Sequence, residues 1–299
     1  MQKDITKPSI TDNQLGDDNW YSSDPGAIFD VDFADAGGSM LKKVEYKVYS
    51  GTWTGSSVVI DWTVIADTIN ANSYTDNWGI DFANLLNNAY NYIWVRTEDN
   101  AGNITTSANY VFYVKKSVSQ PQIINNMVGG DTTWRRINNA YYDIDFSSKG
   151  PSALSYFQTI VYSSKSMTGN LIDDWRTVVS NISSSSYTSD WKIPDLTWEL
   201  LPEGTSYVSV RIFDEANNSS TTVDAFFILK DTHSPVITDN QTGDFVWRNS
   251  SGTLYNIDYS DTGYSLLKYA QYKIVSGTGA VIVDWYTYAS VSYTHLRAH

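Results

Sequence analysis

Any chemistry in this chain would have to come from carboxylates. The sequence holds three histidines and no cysteine. Disulfides, thiolate metal sites and a cysteine nucleophile are therefore excluded. No H-E-x-x-H, G-x-S-x-G, Walker or G-x-G-x-x-G pattern occurs, which removes the usual histidine-based and phosphate-cradling machinery. The best-posed acid pair is Asp30 and Asp32, within the alternating run Phe29-Asp30-Val31-Asp32-Phe33. Two strand rises of about 3.3 Å would separate them by about 6.6 Å, inside the roughly 5 to 9.5 Å window of glycosidase carboxylate pairs. The same alternation puts both acids opposite Phe29, Val31 and Phe33, on a solvated face. Similar pairs recur along the chain, whereas a catalytic cleft is rarely copied into every member of an array. The reading is no enzyme.

Calcium is the second chemistry that carboxylates could supply. Asp12, Asn13, Asp17 and Asp18 gather near one joint, Asp99 and Asn100 in a hairpin, and Asp214, Asp231, Asp239 and Asn240 farther on. Hard cations take six to eight oxygens of this kind, which makes Asp99, Asp214, Asp231 and Asp239 the candidate metal ligands. The spacing is neither an EF-hand nor a glycine-rich nonapeptide repeat. Turn-forming Asx residues account for the same composition without a metal. No other cofactor is expected.

Aromatic rings offer a third chemistry, contact with a ligand. Trp94 lies between two inward-facing residues and is predicted to project outward from its strand. Trp53 sits on a glycine-rich turn, Gly51 to Gly55, and Trp198 in a connecting segment. Exposed rings of this kind stack on sugars or anchor a protein partner, so a glycan or a surface protein is the partner to consider. The alternative is local packing.

The elements that position these residues follow from composition and repetition. Hydrophobic residues make up 41% of the 299, with 11 Trp and 22 Tyr, which is ample material for folded cores. No apolar run approaches the roughly 18 residues of a membrane span. Thirty-three acids against 20 Lys and Arg leave a formal charge of −13, which repels nucleic acid and anionic membrane surfaces. Met1-Gln2-Lys3-Asp4-Ile5 has no apolar stretch, so no signal peptide is read there.

Self-similarity is the strongest signal. Pro8-Ser9-Ile10-Thr11-Asp12-Asn13-Gln14 returns as Pro235-Val236-Ile237-Thr238-Asp239-Asn240-Gln241, with a looser copy from Pro121 to Asn126. Asp32, Asp145 and Asp258 recur at a step of 113 residues, as do Leu41, Leu154 and Leu267. Trp20, Trp62 and Trp78 return as Trp134, Trp175 and Trp191, and the first two again as Trp247 and Trp285. With no disulfide available, these recurring indoles are expected to fill the cores, and Trp175→Ala to cost about 3 to 5 kcal/mol.

Within each unit apolar residues alternate in runs rich in Val, Ile, Thr, Tyr and Trp, separated by Asn, Asp, Gly and Ser. This is strand and turn chemistry, with short helical turns possible at 81–88 and 194–200. About seven strands per unit is the arithmetic of a Greek-key sandwich. Leu200 to Arg211, followed by Phe213-Asp214-Glu215-Ala216-Asn217-Asn218, resembles the closing strands of bacterial immunoglobulin-like and fibronectin type III-like repeats. The resemblance implies a tyrosine corner at Tyr207 and a D-x-A-G-N hairpin. Asp99-Asn100-Ala101-Gly102-Asn103 fits that hairpin fully, and the second copy departs at Asn217. The joint from Lys230 to Thr238 is similar to the D-T-x-x-P linkers of such arrays.

The expected fold is therefore all-β: tandem Ig-like Greek-key β-sandwiches, two complete and a third truncated. The units run 1–118, 119–231 and 232–290, and 291–299 reads as a non-native read-through tail. In the third unit the Trp285 to Tyr293 spacing of 8 replaces the 12 between Trp62 and Tyr74, so its Ser292-Tyr293-Thr294 is out of register. That unit, lacking its closing strands, is expected to be marginal. The resemblance implies a fragment of a secreted or cell-surface bacterial protein of adhesin type. Its repeats would act as a non-catalytic stalk or spacer whose main partners are neighbouring repeats. An adhesive or carbohydrate-binding module using Trp53 and Trp94 is the alternative.

Overall fold

The structure is a computed structural model. It describes residues 3–14, 18–127, 130–241, 245–250, 255–293 and 295–298, and from residue 289 onward the backbone alone. The first repeat contains β1 (Ser9–Asp12), β2 (Trp20–Tyr21), β3 (Val31–Ala34), β4 (Leu41–Tyr49), β5 (Val58–Ala71), β6 (Ser73–Tyr74), β7 (Ala89–Asp99), β8 (Ile104–Thr106) and β9 (Phe112–Lys116). One sheet has the order β1-β3-β6; the other runs β2-β9-β7-β4-β5, with β8 also paired to β7. Successive strands cross between the sheets at β3 to β4, β5 to β6 and β6 to β7, which is a Greek-key path. The short β2 pairs in parallel with the last strand, Trp20 opposite Lys115 and Tyr21 opposite Lys116.

The second repeat repeats this plan with β10 (Gln122–Asn125), β11 (Trp134–Arg135), β12 (Ile144–Ser147), β13 (Leu154–Ser164), β14 (Thr168–Val179), β15 (Ser186–Tyr187), β16 (Gly204–Asp214) and β17 (Ser219–Lys230). Its sheets are β10-β12-β15 and β11-β17-β16-β13-β14, so one long strand stands where β8 and β9 stand in the first. The expected helical turns form as a 3-10 turn at Phe82–Asn84 and as α1 (Asp195–Leu200). Among the described residues no helix is long and apolar enough to cross a membrane.

Each complete repeat has its own interior, and the two buried clusters share no residue. Alternation explains their make-up: Val31 and Phe33 from one sheet meet Val44, Val48, Ile93 and Val95 from the other. Trp78 lies at the centre of the first, 5.7 Å from both the Tyr46 and Phe112 rings. Trp191 takes the same place in the second, 5.0 Å from Phe157 and 5.9 Å from Tyr142 and Phe226. Burying such an indole removes roughly 150 to 250 Å² from water, about 4 to 6 kcal/mol at 25 cal/mol per Å².

The other recurring tryptophans correct the expectation that all of them fill cores. Trp62 and Trp175 are half-buried on the outer faces, under the guanidinium carbons of Arg96 at 4.3 Å and Arg211 at 4.0 Å. Trp20 and Trp134 lie at the sheet edges, and Trp247 is fully exposed at 100%. A shift of one residue in register moves an indole to the opposite face of a strand, which residue type alone does not reveal. Tyr207 makes no corner either: it stands mid-strand on the outer face, 6.4 Å from the Phe227 ring, with Lys165 Nζ 6.0 Å from its own ring.

The third repeat has β18 (Val236–Asp239), β19 (Ile257–Ser260), β20 (Leu267–Val275), β21 (Val281–Tyr293) and β22 (His295–Ala298). They form one sheet, β18-β19-β22, and one hairpin, β20-β21. Leu267 and Ala270 are its buried apolar side chains among the described residues. Register places His295 opposite Ser260 and Leu296 opposite Tyr259, the positions that Ser73 and Tyr74 hold against Ala34 and Phe33. Tyr293 instead pairs with Leu267, where Ala71 pairs with Leu41. Ser292-Tyr293 is thus out of register with Ser73-Tyr74, as its spacing predicts.

Candidate functional site

In a chain of successive sandwiches, the places where one unit meets the next fix how the units are held. At the end of the first repeat Lys116 is buried, and its ammonium donates to the carbonyls of Phe82, Ala83 and Leu85 at 2.9, 3.1 and 3.3 Å. Burial pushes its pKa below the usual lysine value. Lys230 repeats the arrangement on Trp198 and Leu201, at 3.1 and 2.7 Å. These contacts cap the carbonyls that a helical turn leaves open, and they fix where the chain leaves the unit.

The linker is then held from both sides. Ser117 N donates to Tyr21 O at 2.9 Å, and Val118 N to the Asn88 side chain at 3.1 Å, both in the first unit. From the second unit, Asn218 Nδ2 donates to Ser117 O at 2.9 Å, and Ser22 Oγ of the first donates to Ala216 O at 2.6 Å. At the second joint Asp231 N donates to Arg135 O at 3.0 Å and Thr232 N to Glu203 at 2.8 Å. Ser265 N of the third unit donates to Asp231 at 2.7 Å, and the Trp134 ring stacks 6.2 Å from Tyr264. Glu203 occupies the place of Asn88, so the two joints share one plan.

The hairpin that grips the first linker, and its counterpart in the first repeat, which holds the Asp4 carbonyl through Asn103, explain two of the four candidate metal ligands. Asp99 accepts from Asn103 N at 2.8 Å and Asn103 Nδ2 at 2.7 Å; Asp214 accepts from Asn218 N at 2.8 Å and Nδ2 at 2.9 Å. Gly102 takes the left-handed φ of 88° that the turn needs, and Asn217 takes 65° in its place. Asn tolerates that region better than other residues with a Cβ, which is why the departure from the motif keeps the turn. Burial raises the Asp214 carboxyl above its ordinary pKa, against the pull of those Asn218 bonds.

The structure brings Asp99 together with Asp4 and Asp35, their oxygens within 4.8 Å of one another, and Asp231 together with Glu203 and His233. The first set offers oxygen donors of the kind a hard cation takes, and the second mixes an imidazole with carboxylates. Asp4 is drawn down to about 2 by bonds from the Ser39 side chain and from the Thr6 and Ser39 amides. For Asp231 burial acts upward, but the Ser265 and His233 bonds outweigh it and the net shift is downward. Asp214 belongs to neither group. Asp239 ends β18 in the open, accepting from Gln241 N at 2.8 Å in an Asx turn. Asp17 lies outside the described residues.

Asp30 and Asp32 are bridged by one amide. Asn13 Nδ2 donates to both, at 3.2 and 2.8 Å; Asn126 does the same to Asp143 and Asp145, and Asn240 to Asn256 and Asp258. The pair therefore clasps the first strand of each unit to its neighbour. That partner Asn was visible in the repeated Asp-Asn-Gln and Asn-Asn strings.

The two aromatic candidates separate. Trp53 is 67% exposed on its turn, as expected. Trp94 does leave the core, but it is only 2% exposed, because Tyr49 at 4.8 Å and Tyr110 at 5.9 Å cover it. It cannot itself be a ligand contact in this arrangement. Sequence reasoning weighed Trp94 alone and missed the tyrosines around it. Their signal was there in Tyr90-Asn91-Tyr92-Ile93-Trp94, three aromatics on one face at strand spacing.

The fold and the joints together define a tandem array of immunoglobulin-like β-sandwich repeats. No family model matches the chain, and no curated protein matches it. Among solved structures it resembles the tetra-tandem repeat in the extending region of a large adhesion protein, at 12% identity and a TM-score of 0.32, covering 98% of this chain. The chain spans 65% of that structure. It also resembles the fibronectin(III)-like modules of Clostridium thermocellum CbhA, at 11% identity and a TM-score of 0.32, over 74% of this chain and 95% of that one.

Proposed function

We infer that the chain is a non-catalytic spacer in a secreted or cell-surface protein, holding other parts of that protein at a set distance and in a set direction. The observation that carries this is the two-sided clasp of the linkers: Asn88 and Tyr21 hold residues 117 and 118 from one unit, and Asn218 holds Ser117 from the next. A linker so held transmits orientation, whereas a free one transmits only reach. The carboxylate pairs support the non-catalytic part, since in both complete repeats the pair is tied to a bridging amide. A net charge of −13 keeps such arrays soluble and apart.

Long strands of nine to twelve residues, such as β4, β7 and β14, make each unit about 30 to 40 Å long, so two whole copies reach about 70 Å. Small-angle scattering on the whole chain tests the reading. A spacer gives a radius of gyration well above the roughly 19 Å of a compact globule of this length. A value near that figure overturns it.

A further inference from the structure

The outer face of the first repeat carries a feature that the second has lost. Rings follow one another without a break across it: Trp20 to Tyr90 at 5.5 Å, Tyr90 to Tyr92 at 6.3 Å, Tyr92 to Tyr110 at 5.1 Å, Tyr110 to Trp94 at 5.9 Å and Trp94 to Tyr49 at 4.8 Å. They come from β2, β7, β4 and the segment leading into β9, and they lie opposite the core residues Ile93 and Val95. The spacing of Tyr90, Tyr92, Trp94 and Arg96 along β7 gives the strip a length of about 20 Å, six rises of about 3.3 Å. Tyr90, at the end of the strip next to Trp20, is 43% exposed.

The second repeat shows that the fold does not require this strip. Its register puts Thr205, Ser209 and Asp224 where the first repeat has Tyr90, Trp94 and Tyr110. The position of Tyr92 remains Tyr207, and the Arg–Trp pair is kept. What has gone is the run of rings.

The charge on the face selects the ligand. Each of its cations already has a carboxylate: Lys47 lies 2.8 Å from Asp61, Arg96 2.6 Å from Glu45 and Lys115 3.7 Å from Asp18. Tyr113 also donates to Asp18, which pushes its phenol up to about 12. The result is an electrically balanced strip of indole and phenol on a chain of charge −13. A polyanion is repelled by the surroundings, and a polycation finds no free acid on the strip. Exposed aliphatic side chains stand only beside it, on β5, where Val58 pairs with Tyr49 and Val64 with Glu45; the strip itself is indole and phenol. A flat, neutral, amphipathic surface of this kind matches a chain that presents C–H faces to rings and hydroxyls to phenols.

We propose that the outer face of the first repeat, centred on Tyr90 and Tyr92, binds a neutral polysaccharide. The site is independent of the spacer reading: a stalk works with it or without it, and scattering does not report on it.

Affinity electrophoresis of the whole chain in native gels containing hydroxyethyl cellulose, galactomannan or polygalacturonate tests the proposal. Retardation is expected in one or both neutral gels and none in polygalacturonate. Tyr90→Thr installs the residue that the second repeat holds at that position, so folding is retained, and it should weaken the retardation at least fivefold. Tyr92→Ala should weaken it similarly, with far-UV circular dichroism confirming the fold. The proposal falls if neither neutral gel retards the chain, or if both variants are retarded like the parent. It falls equally if only polygalacturonate retards it, or if Tyr90→Thr abolishes self-association of a chain that no polysaccharide retards, which would give the face to a protein.

Discussion

Arg211 sits over Trp175, its guanidinium carbon 4.0 Å from the ring centroid, on the outer face of the second repeat. The pair repeats as Arg96 over Trp62 in the first. An exposed or half-exposed stack of this sort is worth about 0.5 to 2 kcal/mol.

Trp175→Ala should therefore cost about 1 to 2 kcal/mol, whereas Trp191→Ala opens a cavity in the second core and should cost about 3 to 5 kcal/mol. Urea unfolding followed by circular dichroism gives both numbers. Equal costs would return Trp175 to the interior.

Glu45 is held below the usual glutamate range by hydrogen bonds from Arg96, which outweigh its burial. Its folded pKa is depressed, so the stabilisation is present above the unfolded value and is lost as pH falls through the folded one. In the second repeat Gln158 takes the same place, accepting from Arg211 Nε at 2.8 Å. Glu45→Gln should flatten the acid limb of the melting profile below about pH 4.5 and leave the fold intact. An unchanged acid limb contradicts the assignment.

Asn218 closes the Asp214 hairpin and also holds the linker carbonyl of Ser117. Its replacement by Ala removes two side-chain hydrogen bonds, one to the buried Asp214 carboxylate and one to the Ser117 carbonyl, at a cost of about 1 to 3 kcal/mol. Hydrogen exchange should quicken at residues 117 to 121 as well as in the hairpin. Exchange confined to the hairpin would show that the clasp does not restrain the joint.

Asp99 and Asp214 close their turns on amides, so the hairpins form without a cation. EDTA should leave the melting temperature unchanged. A site filled at 100 times its dissociation constant would add about 2.7 kcal/mol, and a fall of matching size on chelation would assign the Asp4, Asp35 and Asp99 set to a metal.

The hairpin β20-β21 leaves Trp285 63% exposed, with Tyr269 and Ile274 also open to water. Limited proteolysis should cut residues 232–290 well before 119–231. Equal resistance would mean that the third unit has a closed core.

Much of the fold was legible because period two and a 113-residue step are properties of the backbone pattern. The D-x-A-G-N string likewise encodes its own hydrogen bonds. Less legible was which side of a strand covers which. Trp175 and Trp191 look alike in sequence, yet one faces Arg211 and the other Phe226, and a single-residue shift in register decides between them. Trp94 was correctly placed outside the core, but its burial depends on Tyr49 and Tyr110, which reach it from other strands. The joints were the least visible part: Asn88 and Glu203 are ordinary loop residues until the chain brings residues 118 and 232 beside them.

The parallel pairing of β2 with β9, and of β11 with β17, decides how a repeat answers a pull. Tension applied at the two ends drags these strands along one another in opposite directions. The bonds at Trp20, Tyr21, Lys115 and Lys116 are then loaded together in shear instead of being peeled apart one by one. Each complete sandwich therefore carries its own mechanical latch at the points where force enters and leaves.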